Sequence, residues 1–172
     1  MSHFPGGHPF KSLHKRRRQA ALSAVSAMQL TVTARRALTA DVEEFTLAMA
    51  DGSVLPAVDA GAHISIETPS GAKRRYSIVH PGQDLRTYTI AIKREAQSRG
   101  GSASMHDDAQ VGQVLNVDAP DNEFPLGRQG PVLLIAGGIG VTPIYAMAQT
   151  LAAEQRPFRV IYCTREAELT PY

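Results

Sequence analysis

The sequence predicts an all-β barrel or sandwich that passes, near Gln129, into the start of an α/β unit. Three observations predict it. Between Gln29 and Leu126, apolar residues recur at alternate positions in short segments, the period of a half-buried strand. Turn-forming groups punctuate those segments at Asp51-Gly52, Pro69-Ser70-Gly71, Pro81-Gly82 and Gly100-Gly101, as expected of several short antiparallel strands. After Pro131 the alternation stops and a continuous apolar run ends in glycines, the pattern of a strand buried on both faces of a parallel sheet.

The elements follow in order. "QLTVTARR" alternates Leu30, Val32 and Ala34, and "EEFTLAMA" alternates Phe45, Leu47 and Met49. "HISIE", "RRYSIVH" and "TYTIAIKRE" continue the series, and "GQVLNVDAP" closes it. One short helix, "SASMHDDA", interrupts the strands. "PVLLIAGG" is the first strand of the second unit. "TPIYAMAQTLAAE" is its helix, with Thr142 as N-cap and Pro143 at the first helical position, where a missing N–H costs nothing. "FRVIYCTRE" is a second buried strand. The expected division is a basic, disordered leader over residues 1–28, a barrel over 29–128, and an incomplete β–α–β unit over 129–172.

Composition narrows the function classes. The chain has 172 residues, 43% of them apolar, enough for one domain or one and part of another. Residues 1–18 carry five basic residues and no acid, whereas the remainder carries 13 basic and 16 acidic residues. The basic balance therefore belongs to the leader, and no nucleic-acid partner is expected. "KSLHKRRRQAALSAVSAM" faintly resembles a secretory or twin-arginine signal, but serines interrupt its apolar part. His3, His8 and His14 have no acidic or cysteine companions there, so no metal site is expected. Cys163 is the single cysteine, which excludes an internal disulfide and an iron–sulfur cluster held by this chain's own thiolates. A cytoplasmic protein is expected, with no membrane partner, because no segment approaches the roughly 20 apolar residues of a span.

Three segments carry candidate chemistry. In "SRGGSASMHD", paired glycines precede a serine at a helix start, an arrangement that suits a phosphate because helix N-termini present unpaired N–H groups. "AGGIGVTP" puts Gly137, Gly138 and Gly140 ahead of Thr142 between a strand and a helix. There a dinucleotide pyrophosphate could approach the backbone, although the spacing is not G-x-G-x-x-G and a plain connection fits equally. In "RRYS", alternation sends Arg74 and Tyr76 to one face and Arg75 and Ser77 to the other. These residues could grip a flavin or form an exposed basic strand. Duller roles are expected elsewhere: Met105 in the core, Asp107 and Asp108 on a solvated helix face, His106 in a local hydrogen bond. Phe124 is expected to pack and Cys163 to be buried structure.

Taken in order, R-x-Y-S, "IAIKRE…SRGGSASMHD", "APDNEFPL" and "AGGIGVTP" closely resemble the phthalate dioxygenase reductase family, which includes the reductase of vanillate O-demethylase, within the ferredoxin–NADP reductase superfamily. The resemblance runs from about Leu30 to Thr164. It implies an antiparallel flavin-binding β-barrel followed by the start of an α/β nucleotide-binding domain. FMN is the implied flavin and NADH the electron donor. Arg74, Tyr76 and Ser77 would lie along the flavin, with Ile92 and Lys93 contributed by the next strand. Gly100, Gly101 and Ser102 would receive the FMN phosphate, with Ser102 also capping the helix. Gly137, Gly138, Gly140 and Thr142 would meet the dinucleotide. No residue is assigned a catalytic role.

The resemblance also implies what this sequence lacks. Family members are about twice as long and end in a plant-type 2Fe–2S domain, and neither that domain nor the later part of the nucleotide domain has a counterpart here. A truncated or split reductase is therefore expected, with apolar faces left uncovered. Its partners would be a ferredoxin domain or protein, a Rieske-type oxygenase, and a subunit completing the nucleotide domain. The competing readings are a non-catalytic FMN-binding or assembly subunit and an inactive fragment.

Overall fold

The computed structural model describes residues 27–172 apart from Gln83, Ala96, Ser98 and Arg99. All but the last two residues of the expected leader lie outside the described residues.

Six strands form one sheet: β1 (Met28–Ala37), β2 (Val42–Met49), β3 (His63–Glu67), β4 (Lys73–Ser77), β5 (Thr87–Lys93) and β6 (Val114–Val117). Their order is β4-β3-β6-β1-β2-β5, with every pairing antiparallel. The two outer strands approach each other, and an Ile78–Ile90 bridge joins them, which closes the sheet into a barrel and hides its edges. Leu30, Val32, Phe45, Leu47, Ile64, Ile66, Ile90, Ile92 and Val117 fill the interior. Helix α1 (Gly101–Asp108) plugs it with Met105.

Strict alternation along β1 stops at a bulge between Val32 and Ala34. A bulge adds one residue and reverses the facing beyond it, so Ala34 is exposed rather than buried. Arg35 turns inward in its place, with its guanidinium 5.1 Å from the centre of the Phe45 ring. It donates to both Glu43 carboxylate oxygens and to the carbonyls of His106 and Ala109 at the end of α1. Basic side chains suit that helix end, where carbonyls lack partners.

The remaining elements are β7 (Val132–Gly137), a 3₁₀ turn at Gly138–Gly140, α2 (Val141–Ala153) and β8 (Phe158–Cys163). β7 and β8 pair in parallel, and α2 covers one face, where Leu134 and Ala136 pack with Ile144, Met147 and Leu151. The opposite face is open: Leu133, Ile135 and Ile161 are 56%, 60% and 45% exposed. The continuous apolar run is thus buried on one face and not both, because the described residues supply only one covering layer. Cys163 ends β8 and is exposed rather than buried. Helix α2 begins one residue before the expected cap. Gly140 is its N-cap and Thr142 lies within the first turn, donating its hydroxyl to the Ile139 carbonyl at 3.2 Å. The 3₁₀ turn feeds directly into the helix and leaves no place for a side-chain cap.

Val42, Val79 and Ala91 of the barrel pack against Ile139, Tyr145 and Tyr172, so the two sheets meet beside the glycine turn. Among the described residues no helix is long and apolar enough to cross a membrane.

Candidate functional site

Strand β4 presents three consecutive cations, and their surroundings differ. Lys73 pairs with Asp118 at 2.5 Å and Arg75 with Glu123 at 2.6 Å. Arg74 and Tyr76 stand opposite Ile66 and Ile64 in the β3–β4 register, which turns them toward the barrel's inner side. Among the described residues no carboxylate lies within ion-pairing distance of Arg74, and its Nη1 donates to the Lys73 carbonyl at 2.8 Å.

Arg74 lies over the first turn of α1. A Cβ placed on Gly101 would come within 3.0 Å of Arg74 Nε and 3.1 Å of its Cγ, so any side chain there would press on Arg74. Gly100, the helix N-cap, adopts φ 87° and no side chain caps the helix. That left-handed conformation favours glycine. Ser102 does not cap the helix, because its Oγ accepts the Glu95 N–H at 3.1 Å. The Ser104 hydroxyl donates back to the Gly101 carbonyl at 3.0 Å. The helix therefore begins at a glycine beside a cation that has no carboxylate partner among the described residues.

Next to it is a cavity of about 400 Å³, within the usual range for small-molecule and cofactor sites. Arg74, Tyr76 and Ser77 line one wall; Ile92, Lys93 and Ser102 continue it; Gly140 and Thr142 close the far side. Ser77 borders the cavity although it alternates with Tyr76, because it ends β4 where the barrel closes. Ile92 keeps its side chain in the core at 1% exposure, with its carbonyl accepting from His106 Nε2 at 2.9 Å. Lys93 Nζ stands 3.5 Å from Asp41. Gly100, Gly101, Gly137 and Gly138 are not among the lining residues. Gly101 acts through Arg74, and Gly137 and Gly138 lead from β7 into the turn, with open space where a Cβ would stand.

Tyr76 has a buried hydroxyl with no hydrogen-bond partner among the described residues. Burial pushes its ionisation up to about 12 against the opposing pull of the Arg74 guanidinium, so it stands in the cavity wall as a protonated phenol. Buried hydroxyls ordinarily find a partner, and this one lies in the wall of the cavity.

The sequence reading missed Arg75, Ala91, Glu95, Ile139 and Pro143, which also line the cavity. Ala91 and Glu95 flank Lys93 at alternate positions, so extending the alternation of "IAIKRE" would have found them. Phe124, expected to pack, is 53% exposed and lines a neighbouring cleft with Arg75, Ser77 and Pro143. His106, as expected, is held locally, by the Ile92 carbonyl and near Glu43. Asp107 is exposed and pairs with Arg94 at 2.6 Å, which holds its carboxyl below the usual range.

No family model matches the chain. It is 44% identical over 147 residues to the phthalate 4,5-dioxygenase oxygenase reductase subunit of Pseudomonas putida, covering 83% of this chain and 45% of that protein. It is 38% identical over 143 residues to a vanillate O-demethylase oxidoreductase of Pseudomonas sp. (strain HR199 / DSM 7063), covering 82% and 45%. A solved phthalate dioxygenase reductase, described as a modular structure for electron transfer from pyridine nucleotides to 2Fe-2S, matches with a TM-score of 0.82 at 38% identity. The match covers 85% of this chain and 46% of that one. The chain thus spans about half the length of the curated relatives it matches. Over that shared half the chain is similar to reductases of phthalate dioxygenase and vanillate O-demethylase systems.

Proposed function

We propose that this chain holds FMN between its barrel and its glycine turn, as the flavin-binding part of an NADH-dependent reductase serving an oxygenase or O-demethylase. Residues 29–128 are the flavin barrel in this reading, and 129–172 the first part of a dinucleotide-binding domain. The supporting observation is Arg74, an inward-facing cation without a carboxylate partner among the described residues, packed on the glycine-led first turn of α1 beside the cavity. Guanidinium and helix N-terminus together suit a terminal monophosphate, since charge-assisted hydrogen bonds are the stronger class and the helix dipole adds to them. Gly100, Gly101 and Ser102 would receive that phosphate, and Tyr76 would satisfy its orphaned hydroxyl against the bound cofactor.

Ser77, Ile92 and Lys93 would orient the ring system along β4 and β5. Gly137, Gly138, Gly140 and Thr142 would bring the dinucleotide pyrophosphate onto the start of α2. The flavin, when bound, supplies the exchange of a two-electron hydride for single electrons; the protein's part is placement and exclusion of water. The electrons would pass to a ferredoxin domain or protein and on to a Rieske-type oxygenase, in a cytosolic setting. The relatives' names supply those partner classes: a dioxygenase reductase, a demethylase oxidoreductase, and electron transfer to 2Fe-2S.

The test is the flavin itself. Acid-released cofactor from the purified chain should run as FMN on a column, and NADH should bleach it. An FAD peak, or a chain that takes up no flavin, overturns the reading.

A further inference from the structure

Behind the cavity wall, on the side facing α2, lies a polar cluster that none of the residues named above as binding a cofactor belongs to. Glu44 is 6% exposed and is the buried ionic side chain among the described residues. It stands on β2 directly opposite Ala91, and Ala91 lines the cavity. Its Oε2 accepts from Arg36 Nε at 2.8 Å and Nη2 at 2.5 Å. Its Oε1 accepts the Tyr172 phenol at 2.6 Å. Burial, reinforced by that carboxylate, pushes the Tyr172 ionisation far up, so the phenol remains a donor. Arg36 and Glu44 belong to the barrel, whereas Tyr172 comes from the segment after β8.

A second limb joins the same two layers. Gln149 on α2 donates from Nε2 to the Val79 carbonyl at 2.9 Å and to the Tyr145 carbonyl at 3.4 Å. Its Oε1 can only accept, so His80 Nδ1, 2.9 Å away, donates to it. His80 Nε2 then faces Glu44 Oε1 at 3.8 Å. The Tyr145 and Tyr172 rings stack 4.4 Å apart, with His80 edge-on to Tyr145 at 5.9 Å. The floor beneath is Val42, Val79 and Ala91 against Leu38 and Ile139. Ala91 and Ile139 both line the cavity as well.

A buried carboxylate is a poor source of net stability, because its desolvation offsets what its partners return. Its directional bonds do fix geometry, and here they span the two layers that enclose the cavity. We propose that Glu44 is a positioning residue. Through Tyr172 it clamps the Ile139–Pro143 turn against the barrel, beside the separate His80–Gln149 link, and sets the width of the cleft in which flavin and dinucleotide meet. The inference deepens the FMN reading and rests on it for its effect on the cofactor.

The test uses the 172-residue chain with Glu44→Gln and, as the gentler change, Tyr172→Phe, which removes one hydroxyl. Amide hydrogen exchange is followed in the flavin-free protein, and added FMN is followed by fluorescence and visible circular dichroism. Loss of one hydrogen bond to a charged group should accelerate exchange over residues 139–147 by about tenfold, with β1 and β6 unchanged. FMN affinity should fall by a similar factor, with an altered visible dichroism of what still binds. Unchanged exchange over 139–147 in both variants overturns the proposal, and so does acceleration spread evenly over the barrel. Unaltered FMN affinity and dichroism despite a loosened turn overturn it too. Local acceleration in a chain whose parent takes up no FMN leaves the clamp standing and removes the FMN reading instead.

Discussion

In the six-stranded sheet Ile64, Ile66 and Ile90 are completely buried, whereas in the two-stranded sheet Leu133 and Ile135 stand more than half exposed. Both sheets are built from similar residues. The barrel hides its apolar side by closing on itself and taking Met105 from α1 as a plug. The parallel pair has one helix and two faces, so one face stays uncovered among the described residues. The division extends to the cavity. Its charged lining comes from the barrel, as Arg74, Arg75, Lys93 and Glu95, while the glycine-turn side supplies Ile139, Gly140, Thr142 and Pro143. The barrel contributes charge and rigidity; the second layer contributes backbone and shape.

The largest expected effect tests the difference in burial. Ile90→Ala should cost roughly 2–5 kcal/mol, as expected of a fully packed core isoleucine. Ile135→Ala should fall within about 0.5 kcal/mol, as for a surface position. Denaturant midpoints of the two variants decide it, and equal losses would mean that Ile135 is covered in solution.

A smaller effect tests the division of the cavity. Arg74→Ala should weaken FMN binding by about 1.5–3 kcal/mol, the range for hydrogen bonds to charged groups, which is roughly ten- to hundredfold in Kd. Arg75→Ala, which removes an exposed pair with Glu123, should cost under about 1 kcal/mol, and Thr142→Ala should cost less than Arg74→Ala. Fluorescence titration of the three side by side checks the order. Comparable losses from Arg74 and Arg75 would break the facing argument for β4.

The smallest effect lies in alkaline solution. Burial pushes the Tyr76 and Tyr88 phenols up to about 12, above the 10 of an exposed tyrosine. Between pH 10 and 12 the unfolded chain has released these protons and the folded chain has kept them. The unfolded state then binds fewer protons, so stability is fully present below 10 and falls as pH rises toward 12. Absorbance at high pH should therefore show the barrel tyrosines ionising late and together with unfolding. Titration of Tyr76 near 10 in the folded protein would contradict its burial.

Much of the site was legible in the sequence because its residues fall in short local patterns. The alternation of "RRYS" separated Arg74 from Arg75, and the two differ in their strand partners and ion pairing, but Arg75 and Ser77 border the same cavity as Arg74 and Tyr76. Gly100 and Gly101 announced a backbone under special demand, which the positive φ of one and the crowding by Arg74 at the other account for. Other expectations failed where a residue's state depends on something distant. Ser102 has the chemistry of a cap, yet Glu95 takes its hydroxyl. Phe124 and Cys163 look like interior residues, yet Phe124 is 53% exposed at the rim of a cleft and Cys163 is exposed at the end of β8. Ala34 follows the alternation of β1 on paper, but the bulge moves it outside.

The sequence by itself determined the strand series, the change of period near Gln129, the two glycine turns and the cation on β4, because periodicity, turn chemistry and side-chain direction are properties of neighbours along the chain. Only the tertiary structure decided that Arg74 alone among its neighbouring cations lacks a carboxylate, that Tyr76 keeps an orphaned hydroxyl, and that Glu44 reaches Tyr172 across 128 positions. Those facts depend on which segments the closed barrel brings face to face. Burial, pairing and the electrostatics that follow from them are set by contacts far apart in sequence, to which local pattern is blind.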